Sequence, residues 1–339
     1  MKLLKQLKQN DYIYYLWIFF KNLNNKTIRQ QFIDFYRTSH YLFLQGYSKD
    51  NKNNIFYLID PVKSYTSGFC SNLDQVLLLL AYADKHGFTP VIFKSKDSHY
   101  NELSGAWSDK CFFEYYFEQP CNINIEQAIN NSWFIYAKTK HVEEILRNPN
   151  IDEIKISMLK KYFTMTLPVK KELNDRVEKY IGSKKVLGIK YRGSDYFKKF
   201  KNHPIPVSIE ELISQVKKIY KNYDSIYLAT EDQNALDEFI KTFGNQLMYD
   251  VNQERYGKDK SHVDINRNIE NNAYKSGFDI LSDLWILSHC SGLIGSRCGV
   301  TYYAKYFNEA FSERKFVDYI CIDKGIRIKG VDSLKDRRN

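Results

Sequence analysis

What this chain lacks narrows its function first. It has six cysteines in 339 residues (Cys70, Cys111, Cys121, Cys290, Cys298 and Cys321), with no Cys-x-x-Cys and no Cys/His ligand spacing. That pattern signals neither a zinc site nor a disulfide framework and fits a reducing, cytoplasmic compartment. No apolar run is long enough to span a bilayer: the longest candidate, Tyr12 to Phe20, has nine residues. Lys2, Lys5 and Lys8 precede it and no small-residue cleavage site follows, so a signal peptide is not expected. Two readings of residues 1–21 stand: a helix packed on its own domain, or a peripheral contact with the inner membrane face through basic and aromatic side chains. There is no internal repeat, low-complexity tract or heptad series, and no Asp-x-Asp of the kind that holds a divalent metal on a nucleotide sugar. The loop Ser67-Gly-Phe-Cys-Ser-Asn72 has neither dinucleotide-fingerprint nor phosphate-loop spacing, which removes the strongest signals for NAD and ATP.

The chain has ample apolar residues (43%) for buried cores and a length near two average domains. A net charge of +10 points to an acidic partner. The basic residues are dispersed and form no recognition motif, so nucleic acid is not expected.

Element order supplies the organisation. Ile55 to Asp60 reads as a strand, Leu73, Val76, Leu77 and Leu80 mark one face of a helix closed by Gly87, and Thr89 to Phe93 is a second strand, together a βαβ unit. Trp133 to Ala137 reads as a third strand. A charged, helical stretch follows to Ile181. A second alternation then begins: strand Lys185 to Tyr191, helix Ser208 to Asn222, strand Ser225 to Ala229 and helix Asn234 to Phe243. A polar loop, Asn252 to Asn272, precedes helix Phe278 to His289, strand Gly292 to Ile294, helix Val300 to Phe307 and strand Phe316 to Ile322. The pattern predicts an α/β protein of two Rossmann-like, doubly wound domains, residues 1–182 and 183–332 with a basic tail at 333–339, facing an interdomain cleft.

Four segments would reach that cleft. In Gly188-Ile-Lys-Tyr-Arg-Gly-Ser-Asp195 an apolar strand ends in Arg192, whose planar guanidinium suits two phosphate oxygens; a surface pair with Asp195 is the plainer alternative. In Tyr227-Leu-Ala-Thr-Glu-Asp232 a strand ends in Glu231 and Asp232, which either accept from a base or ribose or only charge the next helix start. In Leu293-Ile-Gly-Ser-Arg-Cys-Gly-Val-Thr301, small residues Ser296, Cys298, Gly299 and Thr301 open a helix whose N–H groups attract phosphate, with Arg297 adding charge; a tight βα turn is the alternative. Gly68 and Asn72 open the first long helix, Asn72 either contacting substrate or capping.

In this order the segments resemble the GDP-fucose-dependent fucosyltransferases, the group that includes α1,6-, rhizobial nodulation, α1,2- and protein O-fucosyltransferases. The resemblance rests on Gly68 and Asn72, on Leu187-Gly-Ile-Lys-Tyr-Arg-Gly-Ser-Asp195, and on His203-Pro204-Ile205 eleven residues after Arg192. It continues through Tyr227-Leu-Ala-Thr-Glu-Asp232, Asp283, Leu287-Ser288 and the loop Gly295 to Gly299. It implies a GT-B arrangement with the nucleotide sugar on the second domain, GDP-fucose as donor, no required cofactor or metal, and a surface glycan acceptor, lipid-linked at the membrane. Arg192 would neutralise the leaving β-phosphate. The sequence departs from the family pattern at Lys190, which stands for a His and would contact phosphate, at Gly193, which replaces a second Arg, and at Arg297-Cys298-Gly299. Tyr196 to Asn202 holds no carboxylate where the α1,6 branch has its base, so either Asp195 or His203 takes that role or the acceptor hydroxyl needs little base assistance, as the protein O-fucosyltransferase branch implies. Another nucleotide sugar, or a nonenzymatic nucleotide- or polyanion-binding protein, are the alternatives.

Overall fold

The computed structural model describes residues 55–65, 67–94, 96–131, 134–193, 196–197, 201–255 and 267–329. The segment Tyr12 to Phe20, Asp195 and the tail 333–339 lie outside the described residues.

Strand β1 (Phe56–Ile59) leads into helix α1 (Phe69–His86), and β2 (Thr89–Ile92) returns parallel to β1. Helix α1 carries no side-chain cap at Gly68. It ends at Gly87, whose left-handed backbone (φ 67°, ψ 29°) lets Phe88 N–H donate to Ala83 O at 2.9 Å. The side chains that set its periodicity, Leu73, Val76, Leu77 and Leu80, are all fully buried. A 3₁₀ turn (Phe112–Tyr115) and helix α2 (Ile125–Asn131) precede β3 (Phe134–Tyr136), which joins the other side of β1 to give a parallel sheet ordered β2-β1-β3. The charged stretch forms α3 (Thr139–Leu146), α4 (Ile151–Tyr162) and α5 (Leu167–Tyr180).

A second sheet, ordered β6-β5-β4-β7-β8 and also parallel, follows. Its elements are β4 (Val186–Lys190), α6 (Ile209–Ile219), β5 (Ser225–Ala229), α7 (Gln233–Phe243), β6 (Leu247–Met248), α8 (Asn272–His289), β7 (Gly292–Ser296), α9 (Gly299–Phe311) and β8 (Asp318–Ile322). Ser208 caps α6 by accepting from Glu211 N–H at 3.2 Å, and a 3₁₀ turn, Tyr220–Asn222, finishes that helical segment. The protein is thus α/β, with every strand pair of both sheets parallel.

Helix α8 begins at Asn272, six residues before the Phe278 start expected from hydrophobic spacing. Its first turns carry polar side chains, which read as loop in sequence. Apolar residues of α8 (Phe278, Leu281, Leu284, Trp285) and α9 (Tyr303, Tyr306, Phe307) enter the same buried cluster as α1, α4 and α5. The two sheets are therefore bound through shared helices as well as through the chain.

Candidate functional site

Open parallel sheets bind ligands beyond the carboxyl ends of their strands. Here a cavity of about 560 Å³ lies at that edge, within the ~300–1,000 Å³ usual for small-molecule sites. The end of β4, the starts of α1 and α9, and one face of α8 form its walls. Gly68, Lys190, Arg192, His203, Glu231, Cys298 and Gly299, all singled out in sequence, line it together.

Two helix N-termini meet there. Neither Gly68 before α1 nor Cys298 before α9 supplies a side-chain cap, although Phe69 N–H reaches Tyr100 Oη at 3.3 Å. Gly299 permits the junction: a Cβ there would stand 2.7 Å from that of Cys70. The positive ends of two helices, 18 and 13 residues long, thus converge on one wall and favour an anion.

Charge is concentrated beside them. The Arg192 guanidinium lies 3.3 Å from Glu231 Oε1 and 5.3 Å over the Tyr196 ring. Glu231 Oε1 also accepts from Gly193 N–H at 3.1 Å. Lys190, 3% exposed, sits 3.2 Å from Asp283 Oδ2 and 3.6 Å from Glu231 Oε2. Burial works against the Lys190 charge, but Asp283 and Glu231 outweigh it and hold the ammonium above its ordinary pKa. Burial pushes the Asp283 carboxyl up, and Lys190 opposes that rise. Lys190, expected to contact phosphate, thus lines the cavity while paired with Asp283 and Glu231.

Other expectations are corrected by packing. Asp232 does not line the cavity: its Oδ1 caps α7 by accepting from Ala235 N–H at 3.1 Å. Gly193 packs against that cap, since a Cβ there would fall 2.2 Å from Asp232 Oδ2. Arg297 points to Asp323 instead, Nη1 to Oδ2 at 2.7 Å. Asn72 is wholly buried and braces its own loop, Oδ1 accepting from Lys63 N–H at 3.1 Å and Nδ2 donating to Ser67 O at 3.4 Å. Thr301 Oγ1 donates to Ser296 O at 2.8 Å, so both residues shape the turn behind the cavity. His203 reaches the cavity because its neighbours pair with residues 325–327: Asn202 N–H donates to Arg327 O and Arg327 N–H to His203 O, both at 2.9 Å.

Apart from Asp283, the cavity face of α8 was missed in the sequence. Asn272, Lys275, Ser276 and Asp279 recur with Asp283 at helical spacing, and all line the cavity. Asp279 is half-buried, and burial raises its carboxyl to about 7, with Asp283 adding to the rise and Lys275 and Arg176 opposing it. The Asp-x-x-x-Asp spacing was the available signal, since residues four apart share a helix face.

No protein-family model matches the chain, and no curated protein sequence matches it significantly. Solved structures do resemble it. NodZ α1,6-fucosyltransferase soaked with GDP-fucose is 13% identical, with a TM-score of 0.49 over 75% of this chain and 92% of that one. Fucosyltransferase NodZ from Bradyrhizobium is 15% identical, with a TM-score of 0.47 over 75% and 93%. POFUT1 in complex with GDP-fucose is 11% identical, with a TM-score of 0.44 over 80% of this chain and 99% of that one.

Proposed function

We propose that the protein is a metal-independent, inverting glycosyltransferase that moves fucose from GDP-fucose to a glycan hydroxyl. The observation that carries this reading is the placing of Arg192 in one cavity with two helix N-termini that lack side-chain caps. As the anomeric C–O bond breaks, negative charge builds on the departing diphosphate. A guanidinium already held by Glu231 and Tyr196 stabilises that charge with little reorganisation. Helix N–H groups add fixed positive potential, which supplies the role a divalent ion has in other sugar transferases.

In this reading residues 183–332 hold the donor and residues 1–182 face the acceptor. Glu231, the one of the two strand-end acids that lines the cavity, faces the base. A lipid-linked acceptor would meet the protein at the inner membrane face. Among the described residues no helix is long and apolar enough to cross a membrane.

Calorimetric titration with GDP, UDP, CDP and a plain oligonucleotide, all with EDTA present, tests the class of ligand. GDP is expected to bind best. Arg192→Lys is expected to keep the fold and lose about 2–4 kcal/mol of transition-state stabilisation, since a point charge replaces a bidentate fork. Full turnover of GDP-fucose by Arg192→Lys, or loss of wild-type turnover in EDTA, refutes the reading.

A further inference from the structure

We propose that Asp279 is the general base of the transfer, taking the proton from the acceptor hydroxyl. The inference rests on the transferase reading above and adds the group which that reading leaves unassigned.

The position follows from the direction of α8. Its C-terminal end feeds β7, so its N-terminal end projects past the carboxyl edge of the sheet. Asp283 reaches that edge with its side chain, Oδ2 accepting from Nζ of Lys190, the last residue of β4, at 3.2 Å. At 1.5 Å per residue, Asp279 stands about 6 Å and Asn272 about 16 Å further than Asp283 along the helix axis, away from the β7 end of α8. Asp279 thus lines the cavity one helix turn away from Asp283, the α8 residue that contacts Lys190.

The other cavity carboxylates are poorly suited to the task. Glu231 is held by Gly193 N–H, Arg192 and Lys190, and Asp283 by Lys190 and by Gln253 Nε2 at 3.2 Å. Glu254 is exposed. Among the described residues no ion pair holds Asp279. The groups around it are Lys275 and Asp283 on its own helix, Arg176 on α5, Asp250 after β6, and Tyr116 behind the 3₁₀ turn. Arg176 is itself engaged, Nη1 lying 2.7 Å from Asp250 Oδ2. Lys63, Lys190, Arg192 and His203 also line the cavity. Burial keeps Asp279 near neutral pH in its titration, the range where a general base combines availability with basicity.

The step balances as follows. The acceptor oxygen forms a bond to the anomeric carbon and gives its proton to an Asp279 oxygen. The bond from that carbon to the β-phosphate oxygen breaks, and its electron pair leaves with GDP beside Arg192. Asp279 then returns its proton to water.

The test compares wild type, Asp279→Asn, Asp279→Glu and His203→Gln. GDP release from GDP-fucose with water as acceptor is followed from pH 5.5 to 9, and GDP affinity is measured by calorimetry. Because the base must be ionised, the wild-type rate should fall about tenfold per pH unit below about 7 and level off above it. Asp279→Asn should bind GDP within about threefold of wild type, lose about 100-fold or more in kcat, and show no acidic limb. Asp279→Glu should recover part of the rate together with the limb. An Asp279→Asn enzyme that keeps a third of kcat, or keeps the limb, overturns the assignment, as does transfer of the limb's loss to His203→Gln. Equal inactivity of Asp279→Asn and Asp279→Glu with lost GDP binding would mark Asp279 as structural and overturns it too. A wild-type chain that binds no GDP, or binds it and releases none from GDP-fucose, refutes the transferase reading itself.

Discussion

Replacing Lys190 with Met tests the charge arrangement of the cavity floor. The ammonium is buried with two carboxylates at 3.2 and 3.6 Å, and an effective dielectric of about 20 gives about 5 kcal/mol of attraction to each. Desolvating the ammonium offsets part of this. Met fills the same volume without that cost, but it leaves Asp283 and Glu231 facing each other, with Arg192 beside Glu231 as a counter-charge. Breaking a buried pair from one side costs about 3–5 kcal/mol, so a loss of that size is expected at pH 8. The sign of the pH dependence follows from Asp283. Burial already raises its folded pKa and Lys190 restrains the rise, so the variant's carboxyl titrates higher still. A folded state with the higher pKa gains stability as pH falls through it, so the deficit should shrink between pH 8 and pH 5.5. Urea unfolding followed by tryptophan fluorescence reads this, since Trp285 lies one helix turn beyond Ser282 and is 7% exposed. Lys190→Met/Asp283→Asn should recover at least part of the loss by removing one of the stranded charges. A deficit below about 1 kcal/mol at pH 8, or one that does not change with pH, would show that the cluster is not held as described.

Two further outcomes follow from the strand ends. Gly193→Ala should cost about 1–3 kcal/mol in urea unfolding, because its Cβ meets the fixed cap Asp232. Adding Asp232→Gly, a tolerable cap, should restore most of it. Glu231→Gln should shift the GDP/ADP affinity ratio by roughly tenfold or more, the scale of a charged hydrogen bond of about 1.5–3 kcal/mol, whereas Asp232→Asn, still a good cap, should leave it unchanged in calorimetry.

Much of the architecture was legible because apolar strands and their turn residues are local signals. Lys185 to Tyr191 and Ser225 to Ala229 announce buried strands, observed at Val186–Lys190 and Ser225–Ala229, and Gly87 and Ser208 mark helix ends that the structure reproduces. The strand-end rule also brought Arg192, Glu231 and Cys298 to one cavity. It failed where a second contact decides the role. Asp232 and Arg297 stand next to cavity residues in sequence, yet one is captured by an N-cap and the other by Asp323, a partner 26 positions away. The polar start of α8 was hidden for a related reason. Asn272, Lys275 and Ser276 look like loop or solvent face until the first sheet's helices are seen to bury the opposite side.

That opposite side explains how the cavity can be preorganised. Phe278, Leu281, Leu284 and Trp285 anchor α8 in the core shared with α1, α4 and α5. Tyr116 Oη donates to Tyr274 O at 2.7 Å, and Tyr274 N–H donates to Glu102 Oε1 at 2.7 Å, so the helix start is pinned by residues that precede β3. The approach is close enough that a Cβ on Gly277 would stand 2.3 Å from Tyr116 Oη. A helix fixed on one face in this way cannot rotate to solvate its other face without breaking core packing. The helix positions of Lys275, Asp279 and Asp283 are thus held on the cavity side. Electrostatic stabilisation is most effective when charges need no rearrangement as the reaction proceeds. The same packing that ties the two sheets together therefore fixes the positions of the groups assigned to the chemistry.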